Sequence, residues 1–338
     1  MTSLAFEIWP WHIQRKWYHV LVSIIAPSPS TPAVVTPTLP LTGYHPWFSH
    51  WISLKPYHSK EDHYRELFRP VSDQEDIFRR MLLVLPEPIS LEDILRDLRY
   101  NLGQFPTAML GEVGLDRAAR IPVNRSASPV ELTSFMVPLN HQLNILEAQI
   151  DLAVELGRNI SLHSVRSTQA TLELLSKMQK KHKTSWSRVN IDLHSCGLSL
   201  DAWKSVEVSI VCTLRHYDVV SYDEQKHHSN IFMSLSTAIN GRSPNHRELI
   251  TACSPDRILV ESDYHAIEEC APRTWDMVRT VAEIKGWPVE AIWSDDIQET
   301  EWGVVRRLEH NWHKFSAGNQ VYTGQDVAKP KKPHKSVH

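Results

Sequence analysis

Apolar positions along this chain repeat with two different periods, and the two periods themselves alternate. Over 140–156, Leu143, Leu146, Ile150 and Ala153 recur at helical spacing and Gly157 supplies a stop, so the stretch predicts a helix. The short apolar run that follows, 159–163, predicts a strand. After it, Ser167 is placed to cap a second helix carrying Ala170, Leu174 and Met178. Towards the carboxyl end, Trp302, Val305, Leu308, Trp312 and Phe315 fall on one helical face, expected to close an outer layer. Strands alternating with amphipathic helices predict (β/α) units and an α/β fold.

Several strand-like runs finish in acid or imidazole side chains. Glu112 lies in "AMLGEVGLD", His163 in "NISLHS", His194 in "VNIDLHS" and Asp263 in "RILVESD", each read as sitting at or just past a strand end. The carboxyl ends of strands are where α/β barrels keep their chemistry, and one Glu, two His and one Asp suit a hard or borderline divalent metal. A carboxylate in a strand as apolar as that around Glu112 is costly to bury without a partner, which favours a ligand. A lone His is more often a hydrogen-bonded core residue, but two at successive strand ends favour ligation. Asp263 has a second reading as a helix cap.

The order and wording of these segments resemble the TatD-related deoxyribonucleases of the amidohydrolase superfamily. "GYHPWFS" (43–49) and "GEVGLD" (111–116) look like two of that family's boxes. "HQLNILEAQIDLAVELGRNISLHS" (141–164), "DLHSCG" (192–197), "FMSLSTAINGR" (232–242) and "DRILVESDYH" (256–265) follow in the family's order. The resemblance covers roughly 41–315 and is nearest to a fungal branch described as partners of an anaphase-promoting-complex subunit. It implies a TIM-like barrel. Its metal residues would be Glu112, His163 and His194 at one position, with Asp263 contacting the other metal; with that second position depleted, one Mg, Mn or Zn ion per chain is expected. Glu112 and Asp263 would be catalytic, with Asp263 the general base for a water attacking a phosphodiester. His45 and Trp47 would line the substrate site, and Arg166 and His265 would touch a phosphate, although Arg166 stands one place later than the family's arginine. Asp116 is expected to order the loop beyond Gly114.

The family opens with a strand ending in Asp-x-His-x-His, and that motif does not occur here. Residues 1–40 read instead as an irregular Pro-rich segment, with six prolines from Pro27 to Pro46 excluding a helix. "VLVSIIA" (20–26) is expected to be a surviving strand rather than a signal-peptide core. The first barrel strand is therefore expected to be degraded or missing and the second metal position depleted. Two functions follow: a DNase-like metallohydrolase, or a catalytically weakened barrel kept as an interaction partner in cell-cycle regulation.

Composition changes little. The 338 residues are 42% hydrophobic, enough for one full barrel domain, and the net charge of −3 gives no global polycation, so any DNA contact must be local. Four cysteines without zinc-finger spacing read as free thiols, and no run approaches the length of a membrane span, so the chain is expected in the cytoplasm or nucleus without a membrane partner. The stretch 207–230 is longer than an ordinary connection and is read as an insertion, its His227 and His228 as solvated loop residues. The basic tail, 316–338, is expected to be disordered.

Overall fold

The computed structural model describes residues 41–124, 130–214, 220–226, 228–264, 266–290 and 297–318. The expectations placed on 1–40, His227, His265 and 319–338 fall outside them. Six strands form the main sheet: β1 (Leu41–Thr42), β2 (Met109–Asp116), β3 (Ile160–Val165), β4 (Ile191–Leu193), β5 (Ile231–Ser236) and β6 (Ile258–Glu261). They lie side by side in chain order, and every pairing is parallel. Between β1 and β2 come α1 (Lys60–Phe68), α2 (Glu75–Val84) and α3 (Leu91–Gln104). Then α4 (Leu139–Glu155) leads to β3, α5 (Thr168–His182) to β4, α6 (Leu200–Glu207) towards β5 and α7 (His246–Ala252) to β6. Finally α8 (Ile267–Lys285) and α9 (Val304–Ala317) complete the described chain.

Sequential parallel order with intervening helices is the winding of a (β/α) barrel. Curvature is visible in the packing: Met109 of β2, Phe232 of β5 and Leu259 of β6 meet in one buried cluster, although three strands separate β2 from β6. Trp312 and Phe315 of α9 join that cluster, so this helix plugs one end of the barrel as well as covering its outside. Val305 and Leu308 of α9 face the larger core between sheet and helices. Trp302 precedes α9 instead of lying on its face, because the helix begins only at Val304.

The same end is sealed by a repeated device. Asn159, Asn190 and Asn230 each immediately precede the isoleucine that opens β3, β4 or β5. Asn159 and Asn190 donate side-chain N–H bonds to the Phe315 carbonyl at 2.6 and 2.9 Å, and Asn230 donates to the carbonyls of Trp186 and Val189 at 2.8 and 2.7 Å. Buried amides thus satisfy carbonyls where the chain has no ladder partner.

Helix α4 and strand β3 fall close to their expected bounds, and Gly157 takes φ +63° just past the helix as its stop. Ser167 does sit at the N-cap of α5, but its hydroxyl donates back to Val165 O at 2.9 Å and does not cap the helix. The expected insertion holds an antiparallel pair, Val208–Leu214 with Val220–Lys226, separate from the main sheet. His228 is buried rather than solvated: its carbonyl accepts from the buried Arg257, whose Nη1 also stands 3.9 Å from Glu207 Oε1. One arginine therefore holds both feet of the insertion. Among the described residues no helix is long and apolar enough to cross a membrane, and Cys196, Cys253 and Cys270 are free thiols.

Candidate metal centre

Local backbone irregularity brings the chemistry together. Between Leu110 and Val113 of β2 the register against β3 shifts, three residues advancing on one strand for two on the other. Glu112 lies in this irregular segment, inside the strand and not at its end. His163 is likewise interior to β3, opposite Gly114. A Cβ on Gly114 would stand 2.0 Å from the His163 carbonyl oxygen, so glycine is what allows the two strands their close approach. His194 follows β4 directly, and Asp263 lies two residues past β6. Ser195, Asp263 and Arg166 adopt φ of 42°, 45° and 50°, a strained left-handed backbone that clusters at the strand exits around these side chains.

The four expected residues are linked by successive close contacts. Glu112, 4% exposed, places Oε1 2.7 Å from His163 Nδ1 and 3.6 Å from His194 Nε2. That same His194 nitrogen lies 3.6 Å from Asp263 Oδ1. Donors held about 2.1 Å from a tetrahedral ion are about 3.4 Å apart, so both 3.6 Å spacings suit a shared cation, while the His163 contact is a hydrogen bond that an ion would replace. His163 Nε2 is buried without a hydrogen-bond partner, 3.5 Å from Asp116 Oδ2. The donor chemistry fits a divalent ion.

Two tighter groupings of potential ligands, each with atoms within 4.8 Å of one another, flank this point: His45, Glu112 and His163, and Asp192, His194 and Glu261. Neither coincides with the expected set. His45 Nε2 lies 3.7 Å from Glu112 Oε2, but its Nδ1 accepts from Trp47 N–H at 3.2 Å. In a neutral His45 the proton is therefore on Nε2, which makes this ring a donor at the site and not a ligand. In the second grouping Glu261 already has both oxygens engaged. Oε2 accepts from His194 Nδ1 at 2.7 Å, and Oε1 faces Ser195 N, Ser195 Oγ and Ser234 Oγ at 2.7, 2.9 and 3.0 Å. Asp192 is fully buried, and Ser234 Oγ stands 3.0 Å from its Oδ2.

Electrostatics follow burial and charge. Desolvation would lower the pKa of His163, yet the Asp116 and Glu112 carboxylates outweigh it and raise it to about 9. Burial acts in the same sense on His194 and is again overcome, by Glu112 and Glu261, so its pKa stands well above 6.5. Burial would raise Asp116, but the adjacent His163 ring and the hydrogen bond from Trp47 hold it down to about 2. Asp192 is pushed up to about 8, by burial first and by Glu261 second.

The remaining expected residues divide. Asp116 accepts from Ala118 N and Ala119 N at 2.7 and 2.9 Å, which orders the turn after β2, and its other oxygen accepts from Trp47 Nε1 at 2.6 Å. Trp47 is 43% exposed beside His45. Arg166 is exposed beyond β3. Asp263 does not cap α8, whose N-cap is Ala266. Sequence reasoning passed over Asp192 and Glu261. The signal was present: acids inside the apolar runs "NIDLH" and "RILVES" pose the same burial cost as Glu112.

Comparison with known proteins agrees on kinship. The profile of the TatD related DNase family matches residues 37–298. The chain is 27% identical over 278 residues to Cut9-interacting protein scn1 of Schizosaccharomyces pombe, covering 75% of this chain and 79% of that one. It is 25% identical over 278 residues to an uncharacterized deoxyribonuclease of Saccharomyces cerevisiae, covering 81% and 80% respectively. Among solved structures, a TatD homologue from Escherichia coli K12 superposes with a TM-score of 0.42 at 16% identity, covering 68% of this chain and 71% of that one. A TatD family hydrolase from Entamoeba histolytica gives 0.42 at 10%, covering 71% and 79%.

Proposed function

Because the chain belongs to the TatD related DNase family, we propose that it is a metal-dependent hydrolase of phosphodiester bonds with a DNase-like preference, working through one divalent ion. The observation that carries this reading is the run of close contacts in which Glu112 Oε1 lies beside His163 Nδ1 and His194 Nε2, and that same His194 nitrogen lies beside Asp263 Oδ1. Glu112, His163 and His194 are the ligands, leaving positions open for water and substrate. A divalent ion bound there would shield charge developing on phosphate oxygens and lower the pKa of a coordinated water.

The protein's own groups account for the rest. Asp263, 23% exposed at its side chain, reaches the same His194 nitrogen and has access to solvent, so it is placed to accept the proton of an attacking water. His45 presents Nε2–H towards Glu112, in position to donate to a phosphate oxygen. The exposed Trp47 ring, pinned by Asp116, offers a face for a base. The test is hydrolysis of a single-stranded oligonucleotide with Mg²⁺, Mn²⁺ or Zn²⁺. Activity should be removed by chelation and by Asp263→Asn; a rate that survives either change would refute the assignment.

A second reading has its own support, since one relative is named for interaction with Cut9. On it the chain is a catalytically weakened barrel that binds a protein partner in cell-cycle regulation. Equal binding of that partner by the wild type and by Asp263→Asn, with no hydrolysis by either, would favour it over the enzyme.

A further inference from the structure

We propose that Glu261 is a positioning residue that fixes His194 in the one tautomer able to bind a metal ion, and that the serine and backbone donors around Glu261 enforce this setting. The inference rests on the metal-centre reading above and concerns a residue outside its ligand set.

Glu261 is 3% exposed, and its two oxygens have different tasks. Oε1 receives Ser195 N–H at 2.7 Å, with Ser195 Oγ and Ser234 Oγ at 2.9 and 3.0 Å. The Ser195 N–H can only donate, so Oε1 is an acceptor, and an ionised Glu261 presents Oε2 as an acceptor too. Oε2, 2.7 Å from His194 Nδ1, therefore requires a proton on Nδ1. Whenever the ring is neutral its lone pair lies on Nε2, the nitrogen that stands 3.6 Å from both Glu112 Oε1 and Asp263 Oδ1. His45 is set the opposite way by Trp47 N–H. Two rings facing one carboxylate are thus given different duties by what touches their far nitrogens.

The backbone N–H of Ser195 makes the proposal sharp, because it dictates how an amide would sit at 261. In Glu261→Gln the amide oxygen must face Ser195 N–H, which leaves the NH₂ facing His194 Nδ1. That ring nitrogen must then accept, and the proton moves to Nε2, where it blocks ligation. Shape and volume are nearly unchanged.

The experiment is zinc affinity by chelator competition together with ¹⁵N–¹H spectra of the histidine rings, on wild type and Glu261→Gln. The wild type loaded with zinc should show His194 protonated at Nδ1 and metal-bound at Nε2. Glu261→Gln should bind zinc about 10- to 100-fold more weakly and carry its His194 proton on Nε2. Lost affinity with an unchanged tautomer would mean that only the charge of Glu261 matters, and unchanged affinity would mean that it does not position the ring; either overturns the proposal. Should the variant fail to fold, the wild type alone decides, since a His194 ring protonated at Nε2 when neutral contradicts the geometry. Should the wild type take up no zinc, the metallohydrolase reading fails, and the tautomer of metal-free wild type at alkaline pH still tests Glu261.

Discussion

Raising the pH of the metal-free protein should destabilise it, and the size of the effect can be worked from His163. The ring is held between Glu112 at 2.7 Å and Asp116 at 3.5 Å, which lifts its pKa from 6.5 to about 9 in the folded state. Below pH 6.5 both folded and unfolded chains carry the proton and the attraction counts in full. Between 6.5 and 9 only the folded chain holds it, so stability falls as pH rises. At 1.36 kcal/mol per unit, the span corresponds to about 3 kcal/mol. The same attraction depresses Asp116, so it is counted once. His194 is shifted in the same direction and adds to the loss. Urea unfolding in the presence of chelator at pH 6.5, 7.5 and 9 would measure it. His163→Gln, which has no proton to lose, should show a clearly smaller decline. A divalent ion should stabilise increasingly as pH rises, because it displaces those same protons. Metal-free stability that is level or rising across this interval, in a protein whose His163→Gln variant behaves identically, would refute the charge arrangement described here.

Three further expectations follow from the same centre. Elemental analysis should find no more than about one tightly held divalent ion per chain, and His163→Ala should abolish its retention, since two protein ligands rarely hold a catalytic ion against water; two stoichiometric ions would mean that a ligand has been missed. Asp116→Asn should remove stability that is fully present above pH 3.8 and lost as pH falls towards 2, a difference visible in acid unfolding curves, and should change Trp47 fluorescence by altering the acceptor of its indole N–H. Gly114→Ala should cost on the order of 3 kcal/mol in urea unfolding, because the added Cβ would lie 2.0 Å from a carbonyl oxygen of the neighbouring strand; a cost below 1 kcal/mol would show that β2 and β3 separate easily.

How much of this was legible in the sequence depends on whether the information is periodic. Helix α4 and strand β3 could be read because Leu146, Ile150 and Ala153 repeat with the helix and the repeat stops at Gly157. The placement of Glu112 and His163 within strands was misread, because a register shift has no periodic signature and only Gly114 hints that two backbones approach there. Ser167 occupied a cap position, yet the choice of Val165 O as its acceptor was set by the turn and not by residue type. Trp302 shared a helical phase with Trp312 but lay outside the helix, since phase alone does not mark where α9 begins. His228 looked solvated beside a polar run because Arg257, which buries it, is 29 positions away.

The candidate metal centre shows the same division in chemical terms. His194 and Asp263 follow their strands while Glu112 lies within one, and residue type in an apolar run was enough to single out all three as candidates. Which imidazole can bind and which can only donate depends on second contacts of 2.7 to 3.2 Å, made by Glu261 to one ring and by Trp47 N–H to the other. One of those contacts comes from two residues before Asp263, the other from two residues beyond His45. The first joins the last residue of β6 to the residue that follows β4, where Ser195 takes a left-handed backbone; the second closes within the N-cap of the short helix Pro46–Trp51. A sequence reading therefore finds candidate ligands, while the contacts that set their ring protons lie outside any sequence pattern. That is why Glu261, spelled within the same four letters as Asp263, passed as an ordinary strand residue until its oxygens were located.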